Sequence, residues 1–160
     1  MGRRRRTGRL EEKIGQGWVG LISFGLFLIV AGVVISLTPN AVGRVSAFFN
    51  DLRIIQVYPH VFLPAPQSAH PVLYKAAFQY CIGWGIVQIG FLAARIVVRD
   101  WPDRVALSIS SIIFWFGFGY LLNLLIGGIL SAPMAFGYFI VLSGIVVVIR
   151  GLGFLVARSR

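Results

Sequence analysis

WVGLISFGLFLIVAGVVISL, from Trp18 to Leu37, is twenty consecutive residues without a charge, directly behind Arg3, Arg4, Arg5, Arg6, Arg9 and Lys13. At a rise of about 1.5 Å per residue such a run covers the ~30 Å hydrocarbon thickness of a bilayer. The basic flank predicts a first transmembrane helix over residues 18–37 that starts in the cytoplasm. A cleaved signal peptide is the competing reading. The run exceeds the usual apolar core of such signals and no A-x-A site follows, so retention is expected.

Composition points the same way. The 160 residues are 58% hydrophobic and only 12% charged, against about 25% charged in soluble domains. An integral membrane protein of one domain follows. The net charge of +10 would suit nucleic acid if it lay on one soluble face. It lies at the ends of apolar runs instead, so topology and anionic lipid headgroups are the expected uses, with no nucleic acid as partner. Cys81 is the single cysteine, which excludes an intrachain disulfide and predicts a small core residue.

Outward from the first span, residues 7–16 suit a short surface helix capped by Thr7. Thr38-Pro39 reads as an N-cap and first helical position. Beyond it Val42, Val45, Phe49, Leu52 and Ile55 recur every three or four residues among Arg44, Asn50, Asp51 and Arg53. That predicts an amphipathic helix of about four turns on the outer membrane surface. Residues 58–71 contain Pro59, Pro64, Pro66 and Pro71 and are expected to form an extended external loop. Residues 72–98 form a second span. A turn at Asp100-Trp101-Pro102-Asp103 leads to a third over 105–126, and Gly127-Gly128 and Ser131-Ala132-Pro133 lead to a fourth over 132–150, before a basic tail over 151–160. On this layout every Lys and Arg except Arg44, Arg53 and Lys75 is cytoplasmic, as the positive-inside rule requires. The fold expected is an all-α four-transmembrane-helix bundle in the cell membrane, with both termini cytoplasmic and the last three helices antiparallel.

Association between helices in lipid depends on close packing. Glycines seven apart, Gly25 and Gly32, Gly83 and Gly90, then Gly137, Gly144 and Gly151, predict packing seams in a left-handed bundle. Gln79, Gln88 and Asn123 are the candidate intramembrane polar contacts, expected to hydrogen-bond between helices. Arg3, Arg4, Arg5, Arg6, Arg95, Arg99 and Arg150 are candidate headgroup contacts, with Arg95 and Arg150 near helix ends. The aromatic run Phe114, Trp115, Phe116, Phe118 and Tyr120 is expected to pack, with a lipid or quinone groove as the sharper alternative.

Motifs for chemistry are sparse. No ionisable residue falls near the middle of a predicted span, which argues against proton-coupled transport, an intramembrane metalloprotease and bilayer haem ligation. His60 and His70, with Asp51 nearby in sequence, could meet around a metal, but a loop sets no ligand geometry and nothing supplies a convincing third and fourth ligand. No acidic residue is expected to orient a histidine, and neither G-x-S-x-G nor a phosphate loop occurs. No catalytic, cofactor or metal residue is therefore assigned. The function expected is non-catalytic: a small scaffold or accessory subunit of a membrane complex, or a self-associating structural protein, partnered by itself or by other membrane subunits. A small oligomeric channel or carrier for a neutral or lipid-like solute is the alternative, and an outer-surface enzyme using His60 and His70 stands third.

Overall fold

The computed structural model describes residues 21–99 and 102–158. The arginine arm, residues 7–16, residues 18–20 and the Asp100-Trp101 part of the turn lie outside them. The described chain is mostly helical, 78%. It runs α1 (Leu21–Leu37), α2 (Ala41–Asn50), β1 (Leu52–Tyr58), β2 (Val61–Pro66), α3 (Pro71–Val97), α4 (Pro102–Ile126) and α5 (Ala132–Arg158). Three of these helices, α3, α4 and α5, are long and apolar enough to cross a membrane.

Helix α1 meets α2 at 89°. The corner does not use the cap expected of Thr38. Its Oγ1 instead donates back to the Val34 carbonyl at 2.7 Å, closing the last turn of α1. Asn40 takes a left-handed conformation, φ 52°, immediately before α2, which asparagine tolerates better than most residues. Arg44 Nε donates to the Pro39 carbonyl at 3.0 Å and holds the corner from the far side.

Two expectations for residues 39–71 are corrected. Helix α2 ends at Asn50 rather than running through Ile55, and the proline-rich stretch is half of a β-hairpin rather than a loop. Ile54, Ile55 and Val57 are β-branched and favour extended backbone. Each proline of β2 pushes the residue before it the same way. Strand β1 pairs antiparallel with β2 from Leu52 opposite Pro66 to Tyr58 opposite Val61, through a two-residue turn at Pro59 and His60. With only two strands both are edges, so Pro64 and Pro66 sit where a missing N–H is tolerated. Strand β2 rests against α5.

The long helices stack in chain order, each antiparallel to the last. Phe27 of α1 meets Tyr80 and Trp84 of α3 edge-on at 5.6 and 5.4 Å. Cys81 of α3 is 1% exposed, and its Cβ lies 3.3 Å from where a Cβ on Gly119 of α4 would stand. Gly85 receives the Phe116 ring and Gly117 receives Leu142 of α5. Phe114 and Phe118 of α4 meet Phe139 of α5 at 6.0 and 5.5 Å. Phe114, Trp115, Phe116 and Phe118 thus fill helix interfaces, whereas Tyr120 is 62% exposed.

Helix α4 ends in a Schellman motif. Gly128 N–H donates to Leu125 and Ile129 N–H to Leu124, with Gly128 at φ +66°, a conformation only glycine adopts cheaply. Helix α5 begins at Ala132 and continues past Arg150 to Arg158, two turns beyond the expected end of the span.

Near that end a Cβ on Gly153 would overlap the Ala106 Cβ of α4. A methyl group cannot rotate away, so the backbones would have to separate. Gly153→Val is expected to cost about 1–3 kcal/mol of helix-packing stability in detergent unfolding. Gly90→Ala, with no atom within 4 Å of the new methyl among the described residues, is expected to leave the packing intact and, through helix propensity, to raise stability by up to about 1 kcal/mol in the same assay.

Candidate functional site

The densest polar cluster among the described residues sits where the hairpin closes on α3. Asp51 ends α2, and its Oδ2 accepts from the Ser68 N–H at 2.7 Å and the Ser68 hydroxyl at 2.6 Å, and stands 3.0 Å from His70 Nε2. The main chain repeats the link, with Gln67 N–H donating to the Asp51 carbonyl. The His70 ring packs edge-on to Phe48 of α2 at 5.4 Å, and Phe48 also meets Tyr74 of α3. One carboxylate therefore ties together the end of α2, the exit of β2 and the start of α3. It also overturns the expectation that no acidic residue orients a histidine.

The Ser68 hydroxyl bond, then the Ser68 N–H and the His70 ring, hold the Asp51 carboxyl down to about 2, because each favours the charged form. The order of groups decides the chemistry. In a nucleophilic triad the histidine lies between hydroxyl and acid. Here the acid lies between Ser68 and His70, so the serine hydroxyl is committed to the carboxylate and no base is placed to activate it. A shared metal is also poorly served. His60 occupies the hairpin turn at φ 67°, about 20 Å of strand away from the base where Asp51 and His70 meet. Among the described residues no group of three His, Cys, Asp or Glu could hold a metal ion.

The candidate packing glycines divide. Gly83 meets Val30 of α1 at 3.2 Å. A Cβ on Gly25, Gly32, Gly90, Gly137, Gly144 or Gly151 would find nothing within 4 Å among the described residues. Besides Gly83, close interhelical approaches fall on Gly85, Gly117, Gly119 and Gly153, which the seven-residue spacing does not select. Gln79 and Asn123 are exposed on the outside of the bundle and Gln88 is half-buried. No interhelical side-chain hydrogen bond joins these three to the described residues.

Of the arginines, Arg3 to Arg6 lie outside the described residues. Arg95 donates to the Arg104 carbonyl across the α3–α4 turn, and Arg99 is exposed at φ 55°. Arg150 is not at a helix end, as expected, but about 12 Å short of one. Its Nε donates to Ser110 Oγ at 3.1 Å, and Ser110, fully buried, passes its own proton to the Leu107 carbonyl. The sequence marks Arg150 as a headgroup candidate but gives no sign of its pairing with a serine forty positions away, which only the α4–α5 register creates. A polar group without a partner also escaped the sequence reading. The Tyr80 hydroxyl is buried among aromatic rings with no hydrogen-bond partner among the described residues.

Comparison of the chain with family models, with curated proteins and with solved structures finds no match in any of the three.

Because the Asp51 carboxyl is held below its ordinary 3.8, its bonds contribute fully at higher pH and are lost as pH falls from about 4 toward 2. Amide exchange at Ser68 is expected to stay slow, as far as Asp51 governs it, between about pH 7 and 5 and to quicken below about 4. Asp51→Asn should abolish that low-pH step. Tyr80→Phe, which removes only the unpartnered hydroxyl, is expected to leave the unfolding midpoint unchanged or to raise stability by about 1 kcal/mol.

Proposed function

We propose that this chain is a non-catalytic membrane protein that crosses the bilayer four times and works by associating, side by side in the membrane, with a second copy or with other membrane subunits. The first span contains α1. Helix α2 lies flat on the outer surface, consistent with the right-angled corner and with Val42, Val45 and Phe49 exposed along one side. Both termini face the cytoplasm, in line with the distribution of basic residues.

The observation that carries the proposal is the outward face of α5. Met134, Val141, Val148 and Leu155 recur every seven residues and are exposed by 59 to 67%. Gly137, Gly144 and Gly151 recur between them, also exposed and untouched. Aliphatic residues at one heptad position and glycine at the other form a ridge with notches in it. A neighbouring helix fits such a surface more closely than lipid chains do, because glycine lets backbones approach while the aliphatic knobs enter the partner's gaps. Only Val146 of α5 is buried within the protomer, so the interfaces already described leave this face unused.

Native mass spectrometry of protein extracted from its own membranes in mild detergent tests this. The expected result is a defined oligomer or a fixed-stoichiometry complex, which Gly144→Leu weakens by about tenfold or more, equivalent to about 1.4 kcal/mol. A wild-type protein that is a lone monomer without partners would remove the proposal. An oligomer indifferent to Gly144→Leu would move the interface off α5.

A further inference from the structure

We propose that Arg150, exposed on α5 and held by Ser110 of α4, binds the phosphate of an acidic phospholipid from the cytoplasmic leaflet. The inference rests on α5 being a membrane span.

Depth is the first argument. Helix α5 has 27 residues, about 40 Å, roughly 10 Å more than the hydrocarbon it would cross. Sharing the excess between both ends leaves Arg150 about 7 Å inside the apolar layer. The residues beyond it agree. Leu152, Phe154, Leu155 and Val156 follow Arg150 and are exposed by about half or more, so apolar surroundings continue past the arginine toward the cytoplasm.

Geometry is the second. A guanidinium at this depth would ordinarily swing along its helix to the headgroups. Here Nε is engaged sideways, on the neighbouring helix, by a serine with no exposed surface. The side chains of α5 also lean toward its N-terminus, away from the cytoplasmic end. The two terminal amino groups carry four further N–H donors, and no hydrogen bond or ion pair joins them to a described residue. A fork of that shape matches phosphate oxygens two at a time.

Charge is the third. The described carboxylate whose contacts are established, Asp51, is spent on Ser68 and His70 at the opposite end of the molecule. An uncompensated arginine in the apolar layer costs at least ~2.5–3.5 kcal/mol. A lipid phosphate drawn slightly inward neutralises it without any acidic side chain, and a chain of net charge +10 sits among such lipids.

Resistance of the full-length protein to carbonate extraction is measured first. Release by carbonate would overturn the membrane placement itself. With the protein membrane-bound, short-chain phosphatidylglycerol and phosphatidylcholine are titrated into detergent-solubilised protein and bound lipid is read by native mass spectrometry, which reports the oligomer independently. The expected result is preference for phosphatidylglycerol, lost by about tenfold in Arg150→Gln and by about threefold in Ser110→Ala, with Arg150→Lys between them. Arg158→Gln should retain the preference. Equal phosphatidylglycerol binding by wild type and Arg150→Gln would overturn the site while leaving the oligomer reading intact. Displacement of the lipid by millimolar inorganic phosphate would overturn the assignment to a lipid.

Discussion

Close approach on both sides of α4 is the constraint on which the helical stack depends. Toward α3 the contact passes through Gly85 and Gly119, which admit Phe116 and Cys81. Toward α5 it passes through Gly117 and Gly153, which admit Leu142 and Ala106. Apolar side chains gain nothing from one another that lipid would not also supply, so the free energy of this packing comes from fit. Fit requires that large rings have somewhere to go. Trp115 meets Tyr80 on one side of α4, while Phe114 and Phe118 meet Phe139 on the other. Helix α5 is packed by α4 and touched by β2, and leaves most of its remaining surface to whatever surrounds the protein.

The long helices were legible because their signals are local. Apolar runs, a serine ahead of a proline, and a double glycine after the run each act within a turn of the chain. The structure places the boundaries at Pro71, Ile126 and Ala132 accordingly. The far end of α5 was not legible, because an arginine usually closes an apolar run and here it interrupts one. The hairpin was missed for a different reason. Val42, Val45 and Phe49 do lie on a helix, and Leu52 and Ile55 continue the spacing by coincidence, since a stretch this rich in Ile and Val satisfies several periodicities. What separates the two halves is Asp51, whose carboxylate draws Ser68 and His70 together and so ends α2 while closing the hairpin. Contacts seventeen and nineteen residues apart leave no mark on a periodicity.

The same distinction governs the candidate residues. Spacing of seven identified glycines that share a helix face, but it could not say which way the face looks. On α5 that face looks outward, and the glycines that seat α4 against its neighbours lie off the pattern. Spacing measures a face, whereas burial depends on what the rest of the chain puts opposite it. Arg150 shows the limit most clearly. Its depth depends on where α5 ends, and its partner depends on the α4–α5 register.

The two ends of the molecule deal with charge by opposite means. At the hairpin the chain supplies three contacts for its carboxylate, two from Ser68 and one from His70, so the charge is satisfied internally and serves to hold structure. At the other end Arg95 finds a backbone carbonyl across a turn, and Arg150 finds one hydroxyl through one of its nitrogens. A serine is a neutral partner and leaves the positive charge in place. If the helix were merely stabilised by this contact, a neutral donor at position 150 would do as well and would carry no desolvation cost. An arginine there, engaged at the nitrogen nearest its backbone and with no described residue bonded to its outer donors, is favourable only if something anionic meets them. On the proposal that α5 crosses the membrane, a lipid phosphate is the anion within reach.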